Sequence, residues 1–200
     1  WIQRNESLIT AMNVNSSCYG LFVDQNNSLY CSMPTQDKVV KRWLNDVDLK
    51  PKIVAGNGIE GSALDQLSSP RGIFVDVNFD LYVADYGNNR IQQFEVEQLN
   101  GTTKVGNGSS SVTFTLNRPS GIVLDAQKYL FIAEFGKGRI IGEDANGFRC
   151  LVGCDGDGSQ SDQLSYPITL SFDTDGNIFV IDYGNDRIQK FNFEKTSCRK

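Results

Sequence analysis

Three acids recur at one position of a repeated phrase, Asp85, Glu134 and Asp182, and each stands five residues before an arginine: Arg90, Arg139 and Arg187. Acids at one repeat position, if arranged around an axis, would make a cation or substrate site. Each acid also brings its own cation. A carboxylate and a guanidinium across a short turn form a charge-assisted hydrogen bond, and that structural role is the one the spacing favours. In the intervening turns Gly87 and Gly184 are expected to take positive φ, which costs glycine nothing. The aromatic residues directly after the acids, Tyr86, Phe135 and Tyr183, are the candidate ligand contacts. With Asp85, Glu134 and Asp182 they would form a rim suited to a peptide or a sugar. The alternative is that each ring covers the neighbouring repeat.

Other chemistry finds little support. The 200 residues contain no histidine, so no imidazole base can activate a nucleophile, and no G-x-S-x-G elbow is present. "DTDGN" at Asp173–Asn177 resembles the start of a calcium loop but lacks the downstream acidic ligand. The glycine-rich "CDGDGS" and "GNG" stretches lack the Lys-Ser/Thr of a phosphate loop. No catalytic residue, metal site or cofactor is expected. The formal charge of −5 comes without a basic stripe, which argues against nucleic acid. No 18-residue apolar run occurs, so no transmembrane helix is expected.

The five cysteines are Cys18, Cys31, Cys150, Cys154 and Cys198, and none forms a CxxC pair. A hairpin turn at Gln25–Ser28 would set residues 19 and 31 almost opposite one another and bring Cys18 within disulfide reach of Cys31. Cys150 and Cys154 enclose a short strand end, where Gly153 permits a tight curl and a second bridge. Cys198 is left to a partner outside this segment. Glycosylation sequons stand at Asn5, Asn15, Asn26, Asn100 and Asn107, all in expected loops. Random placement of the 17 Asn and 26 Ser or Thr would give about two. Bridges and sequons together point to secretion.

The elements that must position these residues come in copies. "CYGLFVDQNNSLYCSM", "PRGIFVDVNFDLYVAD", "PSGIVLDAQKYLFIAE" and "PITLSFDTDGNIFVID" begin at Cys18, Pro70, Pro119 and Pro167, spaced by 52, 49 and 48 residues. The second and fourth copies share 11 of 25 positions through "DYGNNRIQQF" and "DYGNDRIQKF". Each copy contains three β-rich runs separated by turn residues, and a fourth run follows, such as Lys52–Gly56 or Arg149–Gly153. Four antiparallel strands repeated every ~49 residues predict an all-β propeller of four-stranded blades. Phe22, Phe74, Phe94 and Phe191 are expected between blades.

These copies resemble NHL repeats in Pro-x-Gly-hydrophobic-x-hydrophobic-Asp, Leu-Tyr-Val-Ala-Asp and Asn-x-Arg-Ile, over roughly residues 18 to 196. The first copy departs, with "CSM" for "VAD" and Lys38 where the others have arginine. The resemblance implies a β-propeller, usually six-bladed. Four copies make either a four-bladed ring or part of a six-bladed one, and the mid-pattern start at Trp1 favours the larger ring. Some relatives are lyases with histidine-ligated metal and others bind RNA through a basic face; this histidine-free, acidic chain offers neither. The expectation is a non-catalytic, secreted or cell-surface module, 1–200 forming one domain or segment. Its partner would be a protein or a glycan, with self-assembly a further option. The rivals are a metal-dependent hydrolase or lyase with a carboxylate site on the axis, and an intracellular scaffold with reduced cysteines.

Overall fold

A computed structural model describes residues 10–110 and 114–192. Asn5 and Cys198, named above, lie outside the described residues. Among the described residues, fifteen strands form four antiparallel sheets in chain order. The first blade is β1 (Leu21–Val23), β2 (Ser28–Met33), β3 (Lys38–Trp43) and β4 (Lys52–Ala55). The second is β5 (Pro70–Val75), β6 (Leu81–Asp85), β7 (Arg90–Phe94) and β8 (Thr102–Gly106). The third is β9 (Pro119–Leu124), β10 (Leu130–Glu134), β11 (Arg139–Asp144) and β12 (Gly147–Val152). The fourth is β13 (Pro167–Phe172), β14 (Ile178–Asp182) and β15 (Arg187–Phe191). Among the described residues the last blade contributes three strands.

The first strand of each blade packs against the first strand of the next, β1 on β5, β5 on β9 and β9 on β13, so the sheets succeed one another around an axis as propeller blades. Glycine makes this possible. A Cβ at Gly72 would lie 2.6 Å from the Ser120 carbonyl oxygen, and one at Gly121 would lie 2.6 Å from the Thr169 Cα. The Ser120 hydroxyl donates to the Pro167 carbonyl across the second of these contacts, at 2.7 Å.

The second strands of the first three blades are buried on both sides, which explains why they read as continuous apolar runs. In β6, Leu81 and Val83 pack toward blade one while Tyr82 and Ala84 pack toward blade three. In β10, Leu130 and Ile132 face blade two while Phe131 and Ala133 face blade four. Of the expected interblade aromatics, Phe22 meets Phe74 at 5.0 Å, Phe94 is fully buried and Phe191 packs at the junction of blades three and four. Met12 and Val14 cover the Cys31 and Met33 side of blade one. On the outer side of blade four, Phe179, Ile181 and Ile188 are exposed.

Each β-hairpin between first and second strands is closed by the aspartate that ends the apolar run. Asp24, Asp76, Asp125 and Asp173 each accept two backbone N–H groups of their own turn through Oδ1. "DTDGN" is thus the fourth instance of a turn present in every blade. In blade one the pairing runs Leu21↔Cys31 rather than residue 19 opposite residue 31, because Asp24 closes the turn about Asn26. Tyr19 N–H still bonds the Ser32 carbonyl, which keeps Cys18 beside Cys31. Among the described residues two disulfides form, Cys18–Cys31, with Cα atoms 5.5 Å apart, and Cys150–Cys154, with 5.7 Å.

Gly121→Ala should therefore lower stability by about 1–3 kcal/mol, the usual cost of forcing extra atoms into a packed contact. Urea unfolding measures it, and an unchanged midpoint would show that the inner strands have room to separate.

Candidate functional site

Second and third strands are joined by single turns of 3-10 helix, Tyr86–Asn88, Phe135–Lys137 and Tyr183–Asn185, which place each acid directly opposite its arginine: Asp85↔Arg90, Glu134↔Arg139 and Asp182↔Arg187. Arg90 Nε donates to Asp85 Oδ2 at 2.7 Å, and Arg187 Nε to Asp182 Oδ2 at 2.7 Å. Arg139 Nε donates to Glu134 Oε2 in the same way. In blade one Met33 and Lys38 hold the corresponding positions without an acid.

The pair also clamps the loop entering its own blade. Asp85 Oδ1 accepts the Ser68 N–H at 2.7 Å, and Arg90 donates to the carbonyls of Ser62, Ala63 and Gln66. Asp182 accepts Ser165 N–H, and Arg187 reaches the carbonyls of Ser159, Gln160 and Gln163. Asn88 and Asn185 add a donor to the carboxylate and another to the loop carbonyls of Gly61 and Gly158. All three acids are fully buried at 0% exposure. The structure therefore removes Asp85, Glu134 and Asp182 from the ligand-accessible rim, because a buried carboxylate is held by converging donors rather than offered to solvent.

The glycines of these turns serve another purpose than the one expected. The left-handed residues are Asn89 (φ 55°) and Asp186 (φ 51°), whereas Gly87 and Gly184 have no positive φ. A Cβ at Gly87 would sit 2.2 Å from Ser68 Oγ, and one at Gly184 would sit 2.4 Å from Ser165 Oγ. Glycine is needed there for the close approach of the entering loop. The left-handed residue instead reaches the next blade. Asp37 accepts the Ser69 N–H at 2.8 Å and Asn89 accepts the Arg118 N–H at 2.7 Å, links between blades that the sequence pattern did not reveal.

The aromatics emerge on the surface beside these turns. Tyr86 and Phe135 meet edge-to-face at 5.9 Å, and Phe135 lies 4.9 Å from Tyr166. The Arg71 guanidinium stacks 3.5 Å from the Tyr86 centroid, 5.1 Å from Tyr19 and 5.2 Å from Phe135, while Arg118 lies 6.0 Å from Tyr86. Tyr183 is 60% exposed and, among the described residues, joins no aromatic pair. The sequence pattern singles out Tyr86 and Phe135 but not Arg71, Arg118, Tyr19 and Tyr166, which the fold places beside them. The signal for them was their position beside the residues that open each copy. A separate groove of about 610 Å³ runs between blades one and two, lined by Lys41, Trp43, Lys52, Ile53, Val96 and Leu99 among others. Of the sequons, Asn15, Asn26, Asn100 and Asn107 lie outside the strands and are exposed.

The twin aspartates titrate in opposite directions. Burial pushes Asp85 above the ordinary carboxylate range despite the Ser68 N–H, Asn88 and Arg90. At Asp182 burial again pushes upward, but Ser165 N–H, Asn185 and Arg187 outweigh it and the group is held below that range. Asn177 chiefly holds Asp173 down, to about 2. Asp173 and Asp182 bind protons more weakly folded than unfolded, so the stability they add is present above the unfolded value of 3.8. It is lost as pH falls toward about 2. Asp85 runs the other way, contributing most at acid pH and less as pH rises through the carboxylate range. The melting temperature should accordingly fall on acidification, and Asp173→Asn should flatten that fall. Arg90→Ala, which strands a buried carboxylate and three carbonyls, should cost about 3–5 kcal/mol. Arg187→Ala, at a pair whose arginine side chain is 31% exposed, should cost less. Denaturant midpoints of the two variants check the order.

Comparison with known proteins finds the repeat and the fold elsewhere. The NHL repeat model matches residues 67–94 and 164–191, the second and fourth copies. No curated protein matches. Among solved structures, a streptogramin B lyase superposes with a TM-score of 0.62 at 14% identity, covering 90% of this chain and 56% of the lyase chain. A catalytically inactive histidine-to-alanine variant of virginiamycin B lyase from Staphylococcus aureus, solved with quinupristin, gives 0.58 at 13%, covering 91% and 57%. A nidogen/laminin complex gives 0.59 at 17%, covering 88% and 65%. This chain spans between about half and two thirds of the length of these structures, and at such identities the likeness is one of fold. The chain carries NHL repeats and folds as a β-propeller.

Proposed function

We propose that this propeller is a non-catalytic interaction module of the secreted or cell-surface class, braced by disulfides, glycosylated on its loops, and contacting a protein partner through the aromatic face. The contiguous surface of Tyr19, Arg71, Tyr86, Phe135 and Tyr166 carries this reading. Tyrosine and arginine are enriched among the residues that carry binding energy at protein interfaces, tyrosine for its large contact area with two torsions to freeze and arginine for its planar, multidentate donor group. The acids that a catalytic site would need are consumed in turn clamps. The lyase neighbours lend the fold but not a site: one becomes inactive on loss of a histidine, and this chain has none. One structural neighbour is a chain of a nidogen/laminin complex, a protein–protein assembly, which favours a protein partner here. Paired cysteines and exposed sequons support an oxidising, extracellular setting.

Two measurements test the proposal. Intact mass of natively sourced protein, with thiol alkylation before and after reduction, should show Cys18, Cys31, Cys150 and Cys154 blocked and a mass excess removed by deglycosylation. Free thiols and a bare chain would overturn the extracellular reading in favour of an intracellular scaffold. Elemental analysis should find no stoichiometric divalent metal, and Asp85→Asn with Asp182→Asn should change stability alone. A bound metal lost in that double variant would restore the axial hydrolase or lyase.

A further inference from the structure

We propose that Arg71 and Arg118, floored by the rings of Tyr86 and Phe135 and edged by Tyr19 and Tyr166, form a docking site for an acidic segment of a protein partner. The inference rests on the interaction reading above and names the chemistry that the face selects. Among the described residues, neither guanidinium pairs with a carboxylate or donates a side-chain hydrogen bond, although this chain has an excess of acids. Arg71 lies 3.5 Å over the Tyr86 ring. Stacking occupies the flat face of a guanidinium and leaves its in-plane N–H groups free, the edge that binds a carboxylate bidentately.

Backbone conformation supports the same site. Ser69, Arg118 and Tyr166 each directly precede the proline that opens a blade, and each has a left-handed φ, of 48°, 52° and 49°. That conformation is disfavoured for side-chain-bearing residues and persists where the surroundings enforce it, commonly at binding surfaces. Here it is enforced from the preceding blade at two of the three positions, by Asp37 on Ser69 N–H and Asn89 on Arg118 N–H. Arg118 is therefore held at the rim by its backbone rather than by its own side chain.

The partner is an acidic protein segment rather than a sulfated polysaccharide. Two guanidiniums set among four aromatic rings offer room for one or two carboxylates with apolar contact around them. A polyanion needs an extended basic track, which two guanidiniums set among rings do not make.

The test is selection of a random twelve-residue peptide library on the intact, disulfide-bonded chain. A fluorescein-labelled copy of the most enriched peptide then serves in anisotropy titrations. Enriched peptides should carry Asp or Glu beside apolar residues. Affinity should fall at least about tenfold with Arg71→Ala or Arg118→Ala, recover only partly with Arg71→Lys, and weaken with salt. Melting curves should confirm that these surface variants fold. Enriched peptides without acids, whose binding is lost in Tyr86→Ala but not in Arg71→Ala, would overturn the charge inference and leave the interaction face intact. Binding indifferent to Tyr86, Arg71 and Arg118 alike would overturn both. A heparin dodecasaccharide that binds through Arg71 and Arg118 when no peptide is enriched would overturn the protein-segment assignment, and so would the absence of any enrichment.

Discussion

The propeller depends on backbone meeting backbone at its axis. Wedge-shaped blades converge only if their inner strands carry almost nothing between them, and Gly72 and Gly121 meet the next blade where a Cβ would be within 2.6 Å of its atoms. Once these strands touch, the second strands are held at the distance that lets Leu, Ile, Val and aromatic side chains fill the widening space. That produces the three apolar layers between successive blades. The fourth blade has Thr169 in the place of this glycine and exposes Phe179, Ile181 and Ile188 beyond it. The close approach seen between earlier blades is tied to a glycine that the last one lacks.

Electrostatics follows from that packing. Turn carboxylates buried beside the inner strands cannot remain ionised without donors, since an uncompensated buried charge costs several kcal/mol. Each therefore collects its arginine, an entering-loop N–H and, in blades two and four, an asparagine. Three acids at one repeat position look in sequence like a catalytic or cation-binding ring. In space they are three separate clamps, each closed within its own blade and loop. Recognition is left to what protrudes: aromatic residues on the turns and arginines on the loops that the clamps hold in place.

Local features were legible because they are encoded within a few residues. β6 and β7 begin and end where "LYVAD" and "RIQQF" do, and the five-residue spacing from Asp85 to Arg90 already implied a bond across a turn. The Gly87 requirement was legible as a glycine but not as to cause, because its cause is Ser68, a residue brought in by the entering loop rather than by the turn's own backbone. Tyr86 and Phe135 were legible as surface aromatics. Their company was not, because Arg71 begins its own blade's inner strand while Arg118 and Tyr166 stand before the prolines that open the following ones.

By itself, the sequence determined the repeat, the strand content, the turn chemistry, the cysteines able to pair and the absence of an imidazole anywhere. All of these are set by residue type and short spacing, where side-chain period and turn geometry act. Only the tertiary structure decided which acids remain accessible, what each glycine makes room for, and that Arg71, Tyr86, Arg118, Phe135 and Tyr166 share one face. Those outcomes depend on how one blade sits against the next, over separations of about 50 residues, and burial and cross-blade contact arise only once the inner strands have met.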